Sequence, residues 1–460
     1  MCGILTLYNK TPINAFIFKI LLKKIQHRGQ DSYGIIYKSL ENNDLNFKYN
    51  QGIIKLDKQI EKEYTKILSK FYMGHTRYTT SGSKSLNSIQ PIYDNCIFGK
   101  FLLSFNGNIS LKSYFDPKTN TPYSLDTQLI IEFIKNESNN VSSFEEVLIK
   151  LINKIDRAYS IVIYFNNNIY CIRDRYGVRP LLYNIDETNE NLIITSESCV
   201  NSKVSFNDVK EGTILKFETS DTNPIKINEI YKLTEKEYKK ANCLFEYIYF
   251  MNKDSKWNNI SVSQFRQNIG KQLGLIEDSK IISNPENYIV IGIPNSGIVS
   301  AKEYANYLKI PYQQLIMKNE MINRTFILKS DKERDKQSKE KYIYDIDNLK
   351  GKNIILFDDS IVRGITIKNL VSSLKSIGVN EIHIRVASPP IKYECYYGID
   401  IPTKEELIIN QFDTIDKINN YLKSTTLKYV NLVQIKNIIG NFDNLCTGCF
   451  NKNYNKLLDW

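Results

Sequence analysis

Residues Gly351–Lys368 read G-K-N-I-I-L-F-D-D-S-I-V-R-G-I-T-I-K, and this stretch decides the fold of the second half of the chain. The isoleucine-rich run Asn353–Phe357 is typical of a strand that is buried on both faces of a parallel sheet. The run ends at Asp358 and Asp359, and an amphipathic helix is predicted to begin near Ile367. Ligands of open α/β sheets bind beyond the carboxyl ends of strands, so the stretch predicts a binding loop.

The loop after the two acids has the composition of a phosphate site. Backbone N–H groups at a helix N-terminus bind phosphate, and Gly364 allows a close approach of the backbone. Two acids beside such a site indicate a sugar phosphate that carries Mg²⁺. The alternative is an Asp-Asp turn that only caps a helix.

The string resembles the 5-phosphoribosyl-1-pyrophosphate (PRPP) loop of type I phosphoribosyltransferases, and this favours the functional interpretation. The PRPP contacts that the resemblance implies are Asp358, Asp359, Ser360, Arg363, Gly364 and Thr366, with the two acids also facing Mg²⁺.

Length and composition narrow the class of protein. A chain of 460 residues is expected to form two or three domains, and its hydrophobic fraction of 42% is ordinary for a globular protein. No apolar run reaches the ~18 residues of a membrane span and no leader is recognised, so a cytoplasmic protein without membrane contact is expected. The net charge of +11 is spread among acids, which favours anionic substrates over nucleic acid. Eight cysteines without a secretory signal indicate chemistry or metal rather than disulfides.

The chain begins Met1-Cys2-Gly3-Ile4, and removal of Met1 would give Cys2 a free α-amine that serves the thiol as general base. Alone, this pattern would be taken for an incidental cysteine. Further motifs follow it in order, namely H-R-G-Q-D-S-Y-G from His27, G-H-T-R-Y from Gly74, S-F-N-G-N from Ser104, R-D-R-Y-G-V-R-P from Arg173 and S-E-S from Ser196. Together they resemble the glutamine amidotransferase domain of the N-terminal-nucleophile class, from residue 1 to about residue 230.

Each motif has a role in hydrolysing a primary amide. Asn106 and Gly107 suit an oxyanion hole, because an Asn side chain and a backbone N–H both donate to the developing charge. Arg77 is the candidate for the α-carboxylate of glutamine, since a guanidinium binds it through two hydrogen bonds. The resemblance implies Asp126 for the α-ammonium group. Arg28 is assigned to glutamine binding, shaping the pocket from behind.

The resemblance also implies the fold of this first half, which is two stacked antiparallel sheets between helical layers. The runs Ser160–Tyr164 and Ile169–Ile172 are compatible with strands in such sheets. The Asn-rich segment Asn136–Asn140 is interpreted as a surface insertion. His75 is either a core histidine or a catalyst, and the sequence leaves both open.

A second strand and turn in the carboxyl-terminal half end at Ser296, whose hydroxyl is either a helix N-cap or a contact to Mg²⁺ and pyrophosphate. The charged stretch Lys329–Lys341 suits a solvated face. In the phosphoribosyltransferases the corresponding segment is a mobile lid that orders over pyrophosphate, and Arg334 and Lys341 match its cations.

The stretch Ser388–Pro402 extends the resemblance to nearly the whole chain, which is similar to the amidophosphoribosyltransferases. Two positions depart from that family's pattern, because Asn295 stands where an acid is usual and Ile365 where Thr is usual. The resemblance implies glutamine and PRPP as substrates, purine nucleotides as feedback inhibitors, and a homotetramer or homodimer.

The motif Cys446-Thr447-Gly448-Cys449 near the end suits zinc, a redox pair or neither. Only three histidines exist in the chain, so a zinc site with His ligands is poorly supplied. Cys243 and Cys395 stand where one branch of the resembling family ligates a [4Fe–4S] cluster together with such a pair. The resemblance therefore implies a four-cysteine cluster that fixes the C-terminal arm, with structural zinc as the alternative.

These observations predict an α+β N-terminal-nucleophile (αββα) glutaminase domain over residues 1–235. An α/β type I phosphoribosyltransferase domain with a parallel sheet and a cluster-binding arm is predicted over residues 236–460. The predicted reaction transfers ammonia from glutamine to PRPP, giving 5-phosphoribosylamine, glutamate and pyrophosphate, the first committed step of purine synthesis. The alternatives are a PRPP-sensing regulator that has lost catalysis and a transferase acting on a base.

Overall fold

The computed structural model describes residues 1–78, 88–109, 125–234, 239–319, 341–399, 401 and 403–454. The strands of the first half are β1 (Gly3–Asn14), β2 (Ser32–Lys38), β3 (Leu45–Gln51), β4 (Leu68–Arg77), β5 (Ile92–Cys96), β6 (Gly99–Asn108), β7 (Ala158–Phe165), β8 (Asn168–Arg173), β9 (Leu182–Ile185), β10 (Asn191–Thr195), β11 (Asn207–Asp208), β12 (Thr213–Glu218) and β13 (Lys226–Lys232). Its helices are α1 (Ala15–Lys24), α2 (Lys58–Tyr64), α3 (Asp126–Ser138) and α4 (Phe144–Lys154).

The strands of the first half form two antiparallel sheets that pack face to face. One sheet has the order β11-β9-β10-β1-β4-β2-β3 and the other β13-β12-β8-β7-β6-β5. Alternate side chains of each strand point to opposite faces, so each sheet carries an inner and an outer apolar layer. Ile4 and Met73 of the first sheet share the inner layer with Leu102 and Val162 of the second.

Helices cover the outer faces of both sheets. Phe18 and Leu22 of α1 pack on Leu5 and Leu7 of the first sheet, while α3 and α4 pack on the second. The helix α4 begins at a cap where Ser143 accepts a hydrogen bond from the Glu146 backbone N–H. The resulting layers are helix, sheet, sheet, helix, which confirms the fold predicted for this half.

The second half contains the strands β14 (Asn242–Cys243), β15 (Lys256–Trp257), β16 (Ile260–Ser261), β17 (Tyr288–Gly292), β18 (Ile316–Lys318), β19 (Tyr342–Tyr344), β20 (Asn353–Asp358), β21 (Glu381–Val386), β22 (Thr426–Tyr429) and β23 (Leu445–Cys446). Its helices are α5 (Val262–Leu275), α6 (Ser279–Ile282), α7 (Gly297–Leu308), α8 (Ile346–Leu349), α9 (Ile365–Ile377), α10 (Ile408–Gln411), α11 (Ile415–Leu422), α12 (Leu432–Ile438) and α13 (Gly448–Asn451). Among the described residues, no helix is long and apolar enough to cross a membrane.

Four strands of the second half form the parallel sheet β17-β20-β21-β22, as predicted. Ile354, Ile355, Leu356 and Phe357 of β20 are all fully buried, because helices cover both faces of the sheet. The strand runs one residue further than the sequence suggested, and the following helix begins at Ile365 rather than near Ile367.

The two halves meet along a junction segment, Asn242–Met251, which contains β14 and one π-helical turn, Glu246–Phe250. β14 pairs in parallel with β23, so the end of the chain returns to the start of the second half. The predicted domain boundary at 235/236 falls between residues 234 and 239, outside the described residues, and stays a prediction.

The Asn-rich segment Asn136–Asn140 lies partly in a helix. α3 continues through Ser138, and its last turn is capped by the Asn139 backbone N–H. Asn136, Asn139 and Asn140 are exposed, and the interpretation of the segment as an insertion stays a prediction.

Candidate active sites

Cys2 lies immediately before β1, and its backbone contacts β6 of the other sheet. Its backbone N–H donates to Oδ1 of Asn106, at 3.1 Å, and its Sγ lies 3.8 Å from the backbone oxygen of Tyr78. Asn106 stands near the end of β6 and is 1% exposed. Its Nδ2 is buried and has no hydrogen-bond partner among the described residues. A buried donor without a partner is costly unless a ligand supplies the acceptor, so Nδ2 suits a developing oxyanion.

A cavity opens beside this cysteine. Its lining residues are Cys2, Arg77, Tyr78, Ser88, Gln90, Phe105, Gly107, Leu125, Asp126 and Thr127. The sequence identified Cys2, Arg77, Gly107 and Asp126, but not the other residues of this lining. The cavity therefore brings together four of the six residues predicted for the glutamine site.

Opposite charges stand on the same cavity. Arg77 ends β4, and Asp126 opens α3. Oδ2 of Asp126 accepts a hydrogen bond from the Ile109 backbone N–H at 3.0 Å, which fixes the carboxylate. One cation and one anion above a nucleophile match the carboxylate and ammonium groups of an amino acid.

Arg28 does not line this cavity but lies behind Cys2. Its Nε donates to the backbone oxygen of Cys2 at 3.0 Å, and its other nitrogens donate to Glu197 at 2.6 Å and to Glu246 at 2.8 and 3.0 Å. Burial disfavours the cation, but the two carboxylates outweigh it and raise the pKa of Arg28. His27 contacts the same Glu197 at 2.8 Å. Arg28 therefore reaches the glutamine cavity only through the nucleophile.

His75 has the environment of a core histidine. It is fully buried, its Nδ1 pairs with Oγ of Ser104 at 2.8 Å, and it is absent from the cavity lining. Burial and the nearby Arg77 lower its pKa to about 3, so the ring is neutral at physiological pH.

A second site forms at the carboxyl end of the parallel sheet. The backbone N–H of Asp359 donates to Oδ1 of Asp358 at 3.0 Å, and the hydroxyl of Ser360 donates to Asp359 at 3.0 Å. The hydroxyl of Ser296, at the start of α7, also donates to Asp359. Ser296 makes no side-chain capping bond, so its hydroxyl serves the acid loop rather than the helix. Two strand ends thus converge on one carboxylate, as in other α/β ligand sites.

The acids of this loop are crowded. Burial raises the pKa of Asp358 well above its usual value, and the charge of Asp359 adds to the effect, while Lys341 opposes it. The same charges reach Tyr249 of the junction segment, whose pKa burial and these two acids raise to about 12. A bound cation would relieve this repulsion.

The rest of the predicted PRPP loop is arranged for a close backbone approach. Gly364 has φ +78°, and a Cβ there would lie 2.3 Å from Cδ1 of Ile408. Thr366 lies exposed in the first turn of α9. Arg363 forms a half-exposed ion pair with Glu406, at 2.7 Å, and no described contact joins it to the acids. Arg334 lies outside the described residues.

Four of the eight cysteines lie near one another where the chain end pairs with the junction segment, namely Cys243, Cys395, Cys446 and Cys449. The pairing of β14 with β23 sets Cys243 beside Cys446, and the backbone oxygen of Cys449 accepts hydrogen bonds from the segment that leads to Cys395. Burial raises the pKa of Cys446 to about 12, and the neighbouring Cys395 adds to the increase. All eight cysteines are free. Within the described part of the chain, no three His, Cys, Asp or Glu side chains are grouped closely enough to bind one metal ion.

No role was predicted from the sequence for Glu197 or Glu246. Glu197 lies within the quoted S-E-S motif, and Glu246 lies in none of the quoted motifs. Both carboxylates accept hydrogen bonds from Arg28. Glu197 is 169 positions away from Arg28 in the sequence, and Glu246 is 218 positions away. No periodicity or spacing links residues that far apart.

Comparisons with known proteins identify a domain of known family in each half of the chain. A glutamine amidotransferase domain family matches residues 75–200, and a phosphoribosyl transferase domain family matches residues 265–408. The chain is 31% identical to an amidophosphoribosyltransferase of Methanocaldococcus jannaschii, over 99% of this chain and 97% of that protein. It is 32% identical to that of Homo sapiens, over 89% and 82%. A solved structure of the Bacillus subtilis PRPP amidotransferase with ADP and GMP matches with a TM-score of 0.83 and 27% identity, over 98% of this chain and 96% of that one.

Proposed function

The chain belongs to the amidophosphoribosyltransferase family, and from that premise we propose how its two sites divide the work of glutamine-dependent PRPP amination. The reaction yields 5-phosphoribosylamine, glutamate and pyrophosphate in purine synthesis. The first site releases ammonia from glutamine, and the second uses it to displace pyrophosphate. The alternative of a regulator without catalysis is not retained, because full-length relatives carry the enzyme's name.

In the first site Cys2 is the nucleophile. After removal of Met1, its own α-amine takes the thiol proton, and the thiolate attacks the amide carbon of glutamine. Nδ2 of Asn106 and the backbone N–H of Gly107 donate to the resulting oxyanion. Arg77 binds the α-carboxylate and Asp126 the α-ammonium group. Ammonia leaves, and water hydrolyses the thioester to glutamate. The buried, unpartnered Nδ2 beside Cys2 is the observation that supports these roles most strongly.

In the second site ammonia arrives internally and attacks C1 of PRPP. The loop Asp359–Gly364 and the start of α9 receive the 5′-phosphate through backbone N–H groups, while Ser360, Arg363 and Thr366 add side-chain donors. Lys341 and Arg334 are the cations that we assign to the pyrophosphate. Holding both ends of the substrate leaves C1 free for in-line attack.

Mg²⁺ fits the acid loop, since Asp358 and Asp359 are crowded carboxylates with a third oxygen, Ser296, beside them. Two carboxylates suffice, because Mg²⁺ keeps several waters and completes its shell with substrate phosphates. Bound there, the ion would neutralise the departing pyrophosphate.

The cysteine patch, Cys243, Cys395, Cys446 and Cys449, is assigned to a [4Fe–4S] cluster. Its four thiols are neighbours, since besides the effect of burial, Cys395, Cys243 and Cys446 each raise the pKa of Cys449. Thiolate ligands suit both iron–sulfur clusters and zinc, so structural zinc is the alternative.

The relative from Bacillus subtilis was solved with ADP and GMP, and we extend nucleotide binding to this chain as a feedback signal. Inhibition of PRPP amination by purine nucleotides is measured directly with added AMP and GMP. A homotetramer or homodimer is the proposed assembly, and light scattering of the purified protein determines it.

The division into two sites is tested with Cys2→Ala. We expect loss of glutamine-dependent synthesis and retention of ammonia-dependent synthesis, because the second site keeps all its residues. Cys96→Ala, which changes a partly exposed cysteine outside the cavity, should leave both activities unchanged. Loss of both activities from folded Cys2→Ala protein would contradict the division. An intact mass without Met1 checks the predicted processing.

A further inference from the structure

A buried carboxylate of the junction segment reaches the nucleophile through one intermediary. Oε1 and Oε2 of Glu246 accept from two nitrogens of Arg28, and the third nitrogen, Nε, donates to the Cys2 backbone oxygen. The side chains of Arg28 and Glu246 are both inaccessible to solvent. All three nitrogens of the Arg28 guanidinium donate hydrogen bonds, and the group is planar and rigid. A shift of Glu197 or Glu246 would therefore rotate the guanidinium and change the direction of its hydrogen bond to Cys2.

The turn that carries Glu246 is attached to the second half of the chain. Arg266 of α5 donates from Nε to the backbone oxygen of Tyr247, at 2.9 Å, and from Nη2 to that of Met251, at 2.7 Å. Arg266 also interacts electrostatically with acids near both sites. Burial lowers its pKa, while Asp359 and Glu197 each raise it in part. Glu246 is therefore held in register with α5.

The opposite end of the same turn faces the PRPP loop. Tyr249, three residues after Glu246, is near enough to feel both Asp358 and Asp359. A single π-helical turn thus carries, at its first residue, the acid that pairs with Arg28 and, near its last residue, a tyrosine whose pKa is raised by burial and by the acid loop.

We propose that Glu246 is a positioning residue for the glutamine reaction, which acts through Arg28 to hold the Cys2 carbonyl and so aligns the nucleophile with the second half of the chain. Glu246 touches neither glutamine nor PRPP. Its effect is on the placement of Cys2 relative to Asn106, and displacement of a reacting group by about 1 Å costs roughly a hundredfold in rate.

The purely structural alternative is a buried ion pair that only stabilises the protein. A structural pair would lower both activities together when broken, because unfolded protein does neither reaction. A positioning residue lowers the glutamine reaction and spares the ammonia reaction. The two readouts separate the alternatives in one protein sample.

The test substitutes Glu246→Gln, which keeps the size of the side chain and removes its charge. We expect kcat for glutamine hydrolysis to fall about tenfold or more, with little change in KM, because Arg77 and Asp126 are untouched. Ammonia-dependent synthesis should stay within twofold of the wild type. Labelling of Cys2 by a diazoketone analogue of glutamine should slow in parallel with kcat. Glu246→Asp keeps the charge at a shorter reach, so an intermediate kcat is expected.

Glu277→Gln is the matched control. Glu277 forms an equally buried pair with Arg385, at 2.6 Å, inside the second half and away from Cys2. Its loss should change the two activities in the same proportion. Glutamine kcat unchanged in folded Glu246→Gln or Glu246→Asp protein would overturn the proposal, and so would parallel loss of both activities.

The inference rests on the proposed role of Cys2, and the two fail differently. If Cys2→Ala retains glutamine use, the proposed function itself is wrong. If Cys2→Ala behaves as expected but Glu246→Gln does not, only the positioning role is wrong.

Discussion

Asp358 is a predicted binding residue whose ionised form lowers the free energy of unfolding. The residue is held beside Asp359 at the end of a buried strand, and its pKa is raised by burial and by that neighbour. An unfolded aspartate ionises near pH ~3.9. Between that value and the raised pKa, the folded chain binds more protons than the unfolded chain. The free energy of unfolding contributed by Asp358 therefore falls as the pH rises through this window.

Asp358→Asn should consequently stabilise the protein while damaging the second site. We expect its melting temperature without substrate to exceed that of the wild type at neutral pH. The difference should vanish below pH ~3.9, where Asp358 is protonated in the folded and in the unfolded chain. Ammonia-dependent use of PRPP should fall, because one of the two acids is lost. Calorimetry across pH measures the first effect and pyrophosphate release the second.

Asp347→Asn is the control for this pair of measurements, since Asp347 is exposed on the short helix α8. A lower melting temperature for Asp358→Asn at neutral pH would contradict the assigned cause of the pKa shift.

At the scale of elements, the helices and strands that could be predicted are those whose signals lie close together in the sequence. The strand, acids and glycine of the PRPP loop lie within a dozen residues, and their local pattern gave β20 and α9 to within two residues. The last turn of α3 was not predicted, because Asn136 and Asn140 favour loops, whereas burial of Ile130, Ile131 and Ile134 continues the helix. Tertiary packing there outweighs local propensity.

The element between β20 and α9 depends on one glycine more than on its other residues. Gly364 has a positive φ, which strains any residue with a side chain. Its backbone also packs on Ile408, so an added Cβ would clash with that side chain. Gly364→Ala should lower the free energy of unfolding by more than the ~1–3 kcal/mol that a strained backbone alone costs. PRPP turnover with ammonia should also fall, because the phosphate-binding N–H groups move.

Gly351→Ala separates strain from crowding. Gly351 has a similar φ, +74°, but nothing lies within 4 Å of an added Cβ. We expect only the cost of strain in urea unfolding, and unchanged PRPP turnover. Equal effects of the two substitutions would show that Ile408 gives way and that the close packing is unimportant.

At the scale of the whole molecule, the sites themselves were predictable and their connection was not. Cys2, Asn106, Arg77 and Asp126 each stand in a short motif whose chemistry suggests a role. Arg28 also stands in a motif, but Glu246 carries no such signal, because its pairing with Arg28 forms only when the two halves of the chain fold against each other. A buried ion pair between distant segments has no periodicity that a single sequence displays.

The cysteine patch is the second connection between distant parts of the molecule. Cys243 lies three residues before Glu246, and Cys395 lies two before Tyr397, whose backbone oxygen accepts a hydrogen bond from Arg179 of the first half. Four thiolates bound to one cluster would therefore fix both contacts and the C-terminal strand β23. Loss of a ligand should loosen the junction segment rather than either sheet.

Cys446→Ser tests this role. In protein purified without oxygen, we expect the wild type to contain about four iron and four sulfide per chain, and the variant to lose both with a lower melting temperature. The glutamine reaction should fall more than the ammonia reaction, because the junction segment carries the support of Cys2, whereas the parallel sheet folds around its own core. Cys96→Ser, outside the patch, should retain iron and both activities. Stoichiometric zinc without sulfide in the wild type would replace the cluster by the structural-zinc alternative, and retention of metal by Cys446→Ser would remove this cysteine from the ligand set.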